Sequence, residues 1–344
     1  MVLSLQDSTL SGWLAELSFK TLEKAEGCVL EVPQGLEFLE EQAEEPDFCQ
    51  PENFKPQVFP VKVSKQRTRV VAVDVACKRV GLTSGGLLCA VRGTIVWRDE
   101  YAYRYSRYGP FIFYLNHGWP SQVLNGLFPG SFEVSASPLS MAAKVQMLVE
   151  RELQLQACRT FKDSLILFDG SLSVATESGG WASDRLREAL QRARDNGSRV
   201  MAVAKSTKLL SQGEPLFDFC SRVKPPCLIQ VKPAAYGFKG NFKSLGRIFL
   251  AKLAYDSPGF RLDIDAGLSL EEALEAAGSL LSSDLLVQGY PETLRLAHML
   301  SVLTPLDMLG VQRFLAENFG VKVRRVRSVR RLLFGPYAGE EVQP

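Results

Sequence analysis

Residues 68–76 read TRVVAVDVA and residues 163–172 read DSLILFDGSL. Each is a run of β-branched and aliphatic residues too short for a buried helix, so each reads as a core strand. Each also delivers an aspartate, Asp74 or Asp169, at or near its carboxyl end. Working outward from the first run, residues 81–86 (GLTSGG) form a turn. LLCAVRGTIVWR (87–98) and YAYRYSRYGPFIFYLN (101–116) then continue in strand-like alternation, which predicts an antiparallel meander. Around the second run, apolar residues at helical spacing precede DSLILFDGSL across residues 138–159. WASDRLREALQRARDNG (181–197) then forms a charged amphipathic helix closed by Gly197. SRVMAVAKST (198–207) is a further apolar strand ending at Lys205. Three strands, helix, strand, helix, strand is the ribonuclease H-like order. The predicted fold class is therefore α/β, a mixed sheet flanked by helices.

The rest of the chain completes that outline. A hairpin is expected over residues 246–264, then helices at 269–281, 291–303 and 305–320, with a short strand at 283–290. Residues 1–60 carry 12 acidic and 3 basic residues, a local charge of −9, against +11 for the remaining 284. They hold one helix candidate (10–24) and a Pro-punctuated linker, and read as an acidic N-terminal extension. Residues 61–321 are the main domain. Residues 322–344 are a tail that opens with six basic residues in ten (KVRRVRSVRR), read as a solvated end or as a contact for DNA or a partner.

The whole chain has 344 residues, 46% of them hydrophobic and 23% charged, a composition that excludes disordered, collagen-like and disulfide-scaffold classes. Its seven cysteines are scattered and form no CxxC pair, and there are two histidines, which argues against structural zinc. Cysteines inside apolar runs suit a reducing compartment, and the N-terminus lacks the charge pattern of a signal peptide. No run of eighteen apolar residues is present, so no membrane partner is expected and a cytoplasmic location is.

The chemistry centres on acids. An aspartate ending a buried strand is poorly placed for packing and well placed for a ligand crevice, although one such residue also serves as a turn former or cap. Two, with a third acid, suggest a hard divalent cation, because carboxylates gathered without one repel each other. In MAAKVQMLVERELQLQACR (141–159), Val145, Leu148 and Val149 mark a buried stripe. Glu152 lies seven, four and three residues beyond them and projects from that stripe, whereas Glu150 falls on the wetter side. His298 sits mid-helix in PETLRLAHMLSVL (291–303), as a packed core residue or a ligand, with Tyr290 just before that helix. Lys205 is a snorkelling edge residue or a phosphate contact.

Together, VVAVDVA at Asp74, the acidic helix at Glu152, LILFDGSL at Asp169, VMAVAKST at Lys205 and GYPETLRLAH from Tyr290 to His298 resemble the NurA family of DNA nucleases. The resemblance spans about residues 65–305. The family's first aspartate usually opens Asp-Gly-Ser, where this chain has Asp74-Val75-Ala76. It implies manganese-dependent cleavage of single- and double-stranded DNA, with Mg²⁺ as a possible substitute. The implied activities are single-strand endonuclease and 5′–3′ exonuclease, exercised by a homodimer working with a HerA-type hexameric ATPase in DNA end resection and double-strand break repair. It further implies that Asp74, Glu152, Asp169 and His298 hold the metal, with Lys205 and Tyr290 on the phosphate. Two other classes share parts of the pattern. One is an actin-like ATP-dependent kinase, which would need a second glycine-rich phosphate loop. The other is a catalytically inactive scaffold for a DNA-translocating ATPase.

Overall fold

The computed structural model describes residues 8–33, 48–50, 57–99, 102–116, 138–175, 179–204, 209–211, 214–215, 220, 222–231, 237–238, 242–255 and 257–326. The chain opens with α1 (Ser8–Leu22), β1 (Val29–Pro33) and β2 (Gln57–Pro60). The predicted meander follows as β3 (Arg69–Thr83), β4 (Gly86–Arg98) and β5 (Tyr103–Asn116). Next come α2 (Pro138–Thr160), β6 (Ser164–Asp169), α3 (Gly179–Asp195) and β7 (Arg199–Ala204). Strands β8 (Cys227–Val231), β9 (Gly246–Lys252) and β10 (Phe260–Asp265) precede α4 (Leu270–Ser283), α5 (Glu292–Ser301), α6 (Pro305–Phe319) and β11 (Lys322–Val326).

These eleven strands share one mixed sheet, and the other short strands of the described residues form three smaller ones. Its centre runs β5-β4-β3-β6-β7, with β3, β6 and β7 parallel and β4 antiparallel between β3 and β5. That is the ribonuclease H-like order. β10, β9, β8 and β2 extend the sheet beyond β7 by antiparallel pairing. One face packs on α2 and α3 through Val73, Phe113, Leu148, Phe168 and Leu190. The other packs on α4 and α5 through Val70, Leu167, Leu262, Ala277 and Leu294. Position 93 in β4 must be small. A Cβ at Gly93 would lie 2.0 Å from Leu153 Cδ1, so its absence lets α2 settle onto the sheet.

Two boundary expectations are corrected. Residues 8–33 are not an appendage. Leu14 and Leu17 of α1 are buried in the same core as α2, each contributing about 1.5–3 kcal/mol. Ser18 Oγ of α1 donates to the Ile112 carbonyl (2.6 Å), and Thr21 Oγ1 accepts the Tyr114 N–H (3.1 Å), so α1 closes the edge of β5 that no strand among the described residues covers. The tail does not begin at 322 either, because Lys322–Val326 is β11, paired in parallel with β1. Residues 34–47, which hold six of the acidic residues of the N-terminal segment, and residues 327–344 lie outside the described residues.

Glu292–Phe319 is the one stretch of described residues long and apolar enough to cross a membrane by length and composition. It is divided between α5 and α6, which part before Pro305. There Thr304 and Asp307 form a reciprocal cap, and Arg92 grips Asp307 at 2.7 Å. The Arg92 guanidinium and the cap bonds hold the Asp307 carboxyl far below the usual carboxylate range.

Candidate metal centre

β3 and β6 pair from Arg69–Ser164 up to Val73–Phe168, and the next residues on the two strands are Asp74 and Asp169. The strands part there. β3 continues alongside β4, while β6 passes through Gly170, whose φ of +101° suits glycine, into the loop that follows. The two carboxylates therefore stand side by side where the β3–β6 pairing ends. Gln146 of α2 closes the freed edge of β3 by donating to the Val75 carbonyl at 2.9 Å.

The third donor comes from α5. Asp284 accepts the Thr293 N–H (2.9 Å) and the Tyr103 hydroxyl (3.1 Å), which fixes the start of that helix. Leu294, Ala297 and Ser301 face the sheet. His298 lies on the helix flank, with Nδ1 3.2 Å from Asp74 Oδ2 and 3.6 Å from Asp169 Oδ2. Ser301 Oγ donates to the same Asp74 oxygen. One ligand atom from each of Asp74, Asp169 and His298 lies within 4.8 Å of the others. Asp74 is 8% exposed, whereas the His298 side chain is 46% exposed, so the cluster is anchored inside and open outside. The Tyr290 hydroxyl faces Asp169. Burial first, then the Asp169 and Asp74 charges, push its pKa far above that of a free phenol.

The glutamate assignment is corrected. Glu152 does not reach this cluster. It pairs with Arg185 of α3 at 3.0 Å, and Arg159, one turn-pair further along, reaches Glu188 of α3. Burial raises the Glu152 pKa, and Arg185 and Arg159 act against that rise. Glu150 is the glutamate of α2 on which the charges of Asp74 and Asp169 act. Its pKa is raised by burial and, after the opposing effect of Arg151, by the charges of Asp74 and Asp169. Gln154 Nε2 holds its carboxylate at 2.8 Å. The expectation failed because the buried stripe of α2 was read as the sheet-facing stripe. This helix is covered on two sides, with Gln146 and Leu153 against β3 and β4 and Glu152 against α3. Ser301 was likewise missed as a partner of Asp74, although its spacing of three residues from His298 carried the signal. Lys205 lies outside the described residues, as does His117, the chain's second histidine, which its aromatic surroundings (YLNHGWP, 114–120) mark as structural or peripheral.

Two carboxylates and an imidazole form a donor set that fits a hard or borderline divalent cation such as Mg²⁺ or Mn²⁺. Fold and donors together define an α/β protein of ribonuclease H-like order with a candidate metal centre at its strand ends. No protein-family profile and no curated protein matches the chain. Among solved structures it is similar to the NurA nuclease from Sulfolobus solfataricus, at 16% identity and a TM-score of 0.48, over 76% of this chain and 88% of that one. It is similar also to NurA with manganese (10% identity, TM-score 0.42, 75% and 91% covered). A third similar structure is an endonuclease V from Bacillus subtilis (12% identity, TM-score 0.35, 76% and 88% covered).

Proposed function

We propose that the chain is a metal-dependent deoxyribonuclease, a phosphodiester hydrolase whose centre is built on Asp74, Asp169 and His298. The observation that carries the reading is the convergence of these three donors where β3 and β6 part. Glu150 is the fourth member, in place of Glu152, because its charge is the one that meets both aspartates. A divalent ion held there would supply Lewis acidity toward a phosphodiester and a more acidic water. The protein's own part is positional. Ser301 fixes one oxygen of Asp74, which leaves the carboxylate a single preferred orientation. The Tyr290 hydroxyl stays protonated at neutral pH and so serves as a hydrogen-bond donor beside Asp169. Lys205, placed by sequence directly after β7, would neutralise charge on the scissile phosphate.

The family resemblance supports the finer reading. It favours Mn²⁺, single-strand endonuclease and 5′–3′ exonuclease activity on DNA, and a cytoplasmic homodimer acting with a HerA-type ATPase in end resection. The test is digestion of end-labelled single- and double-stranded DNA by purified protein with Mn²⁺, Mg²⁺ or EDTA, beside Asp169→Asn. Cleavage that needs metal and disappears in the variant is expected. Cleavage equal in EDTA, or equal in the variant, rejects the proposal.

A further inference from the structure

Arg261 and Asp263 of β10 form an ion pair with neither side chain exposed. Arg261 Nε and Nη2 donate to the two Asp263 oxygens at 2.9 and 2.8 Å. A dry pair of this kind adds little net stability. Desolvating two charges offsets their attraction, and apolar residues of similar volume often serve as well or better. The pair's outward bonds give it another use. Asp263 Oδ2 accepts the Leu172 N–H at 3.0 Å, and Arg261 Nη2 donates to Ser173 Oγ at 2.9 Å. Leu172 and Ser173 follow Asp169 by three and four residues.

The same short loop is tied at further points, and from Ser173 onward it pairs as a short strand with residues 242–244. The Gly170 N–H donates to the Val203 carbonyl (3.0 Å), and the Leu172 carbonyl accepts the Leu245 N–H (2.9 Å). Leu172 is fully buried, and a Cβ at position 246 would lie 3.0 Å from Leu172 Cδ1 and 3.1 Å from Asp263 Cβ. Gly170 has no side chain to restrict its own backbone, so bonds from neighbouring strands set the loop. We propose that Arg261 and Asp263 are positioning residues. By anchoring residues 172–173 they hold the Asp169 carboxylate toward Asp74 and His298. This rests on the metal-centre reading given above.

The experiment uses the full chain with Mn²⁺ alone as probe, its affinity measured from the electron paramagnetic resonance signal of free ion. The proteins compared are wild type, Asp169→Asn, the double variant Arg261→Met with Asp263→Leu, and Ser173→Ala. The double variant removes both charges together, so no lone charge stays buried. It should melt within a few degrees of wild type. Its Mn²⁺ affinity should fall about tenfold or more, in line with other groups that orient metal ligands, and its amides at 170–173 should exchange faster. Ser173→Ala removes one bond at a partly exposed position and leaves the pair intact, so it covers the case of a double variant that fails to fold. It should show faster exchange confined to 170–173 and a smaller affinity loss. Wild-type affinity and exchange in a folded double variant overturn the proposal, as they do in Ser173→Ala if the double variant does not fold. Failure of the metal-centre reading looks different, because wild type and Asp169→Asn would then bind Mn²⁺ equally.

Discussion

The two flanks of α2 carry the same side chain two residues apart and treat it in opposite ways. Glu150 and Glu152 are both partly buried, and burial raises both pKa values. On the α3 flank, Arg185 and Arg159 answer Glu152, and the charge is balanced by the protein itself. On the β3 flank, Arg151 and Gln154 answer Glu150 only in part, and two aspartates add to the same sign. A carboxylate with a cationic partner tells little about function. Two aspartates brought together beside His298, with the charge of Glu150 acting on both, leave a deficit that an external cation can fill.

The contrast can be broken by substitution, beginning with the largest effect. Asp169→Asn should lower metal-dependent cleavage by orders of magnitude. Its metal-free melting temperature should be unchanged or higher, because repulsion among the acids is relieved; a marked fall in melting temperature would show Asp169 to be structural. Glu150→Gln should weaken Mn²⁺ affinity about tenfold, or about 1.4 kcal/mol, again without loss of metal-free stability. An unchanged Mn²⁺ titration of the cleavage rate would remove Glu150 from the centre. Arg185→Ala strips Glu152 of its nearest cation and should cost about 1–2 kcal/mol of unfolding free energy, between exposed and buried ion pairs. Denaturant unfolding measures that, while Mn²⁺ affinity should hold. Glu152→Gln should do least, with stability within about 1 kcal/mol and cleavage within about threefold. A severe cleavage loss there, with Glu150→Gln silent, would reverse the assignment of the two flanks.

The legible parts of this molecule were those whose cause is local. Alternation, turns and β-branched runs announced the meander and β6, and Asp74 and Asp169 stood out as acids within apolar runs, although β3 runs on nine residues past Asp74. His298 was legible as a candidate through its rarity, but its approach to both aspartates depends on how α5 crosses the sheet. The choice between Glu150 and Glu152 was not legible. A helix packed on both a sheet and another helix buries more than one stripe, so apolar periodicity gives no unique phase. The role of α1 was hidden for a similar reason, since hydroxyls that cap a strand nearly a hundred residues away leave no local pattern. Arg261 and Asp263 look like surface residues in sequence, and only the fold reveals that both are dry.

The partnership of β1 with β11 bears on how the protein is made. β1 aligns with β3 at a single ladder position, Glu31 opposite Leu82, whereas five of its residues align with β11. Val29 must therefore wait for Lys322, nearly three hundred residues later, before its strand is secured. On the ribosome, α1 and the meander can assemble early, since α1 docks on β5 within the first 116 residues. β1 then stays an open edge until β11, the last strand among the described residues, emerges and closes it. A ribosome stalled just short of residue 322 would display that edge to any extended chain nearby, and release of a handful of further residues would hide it.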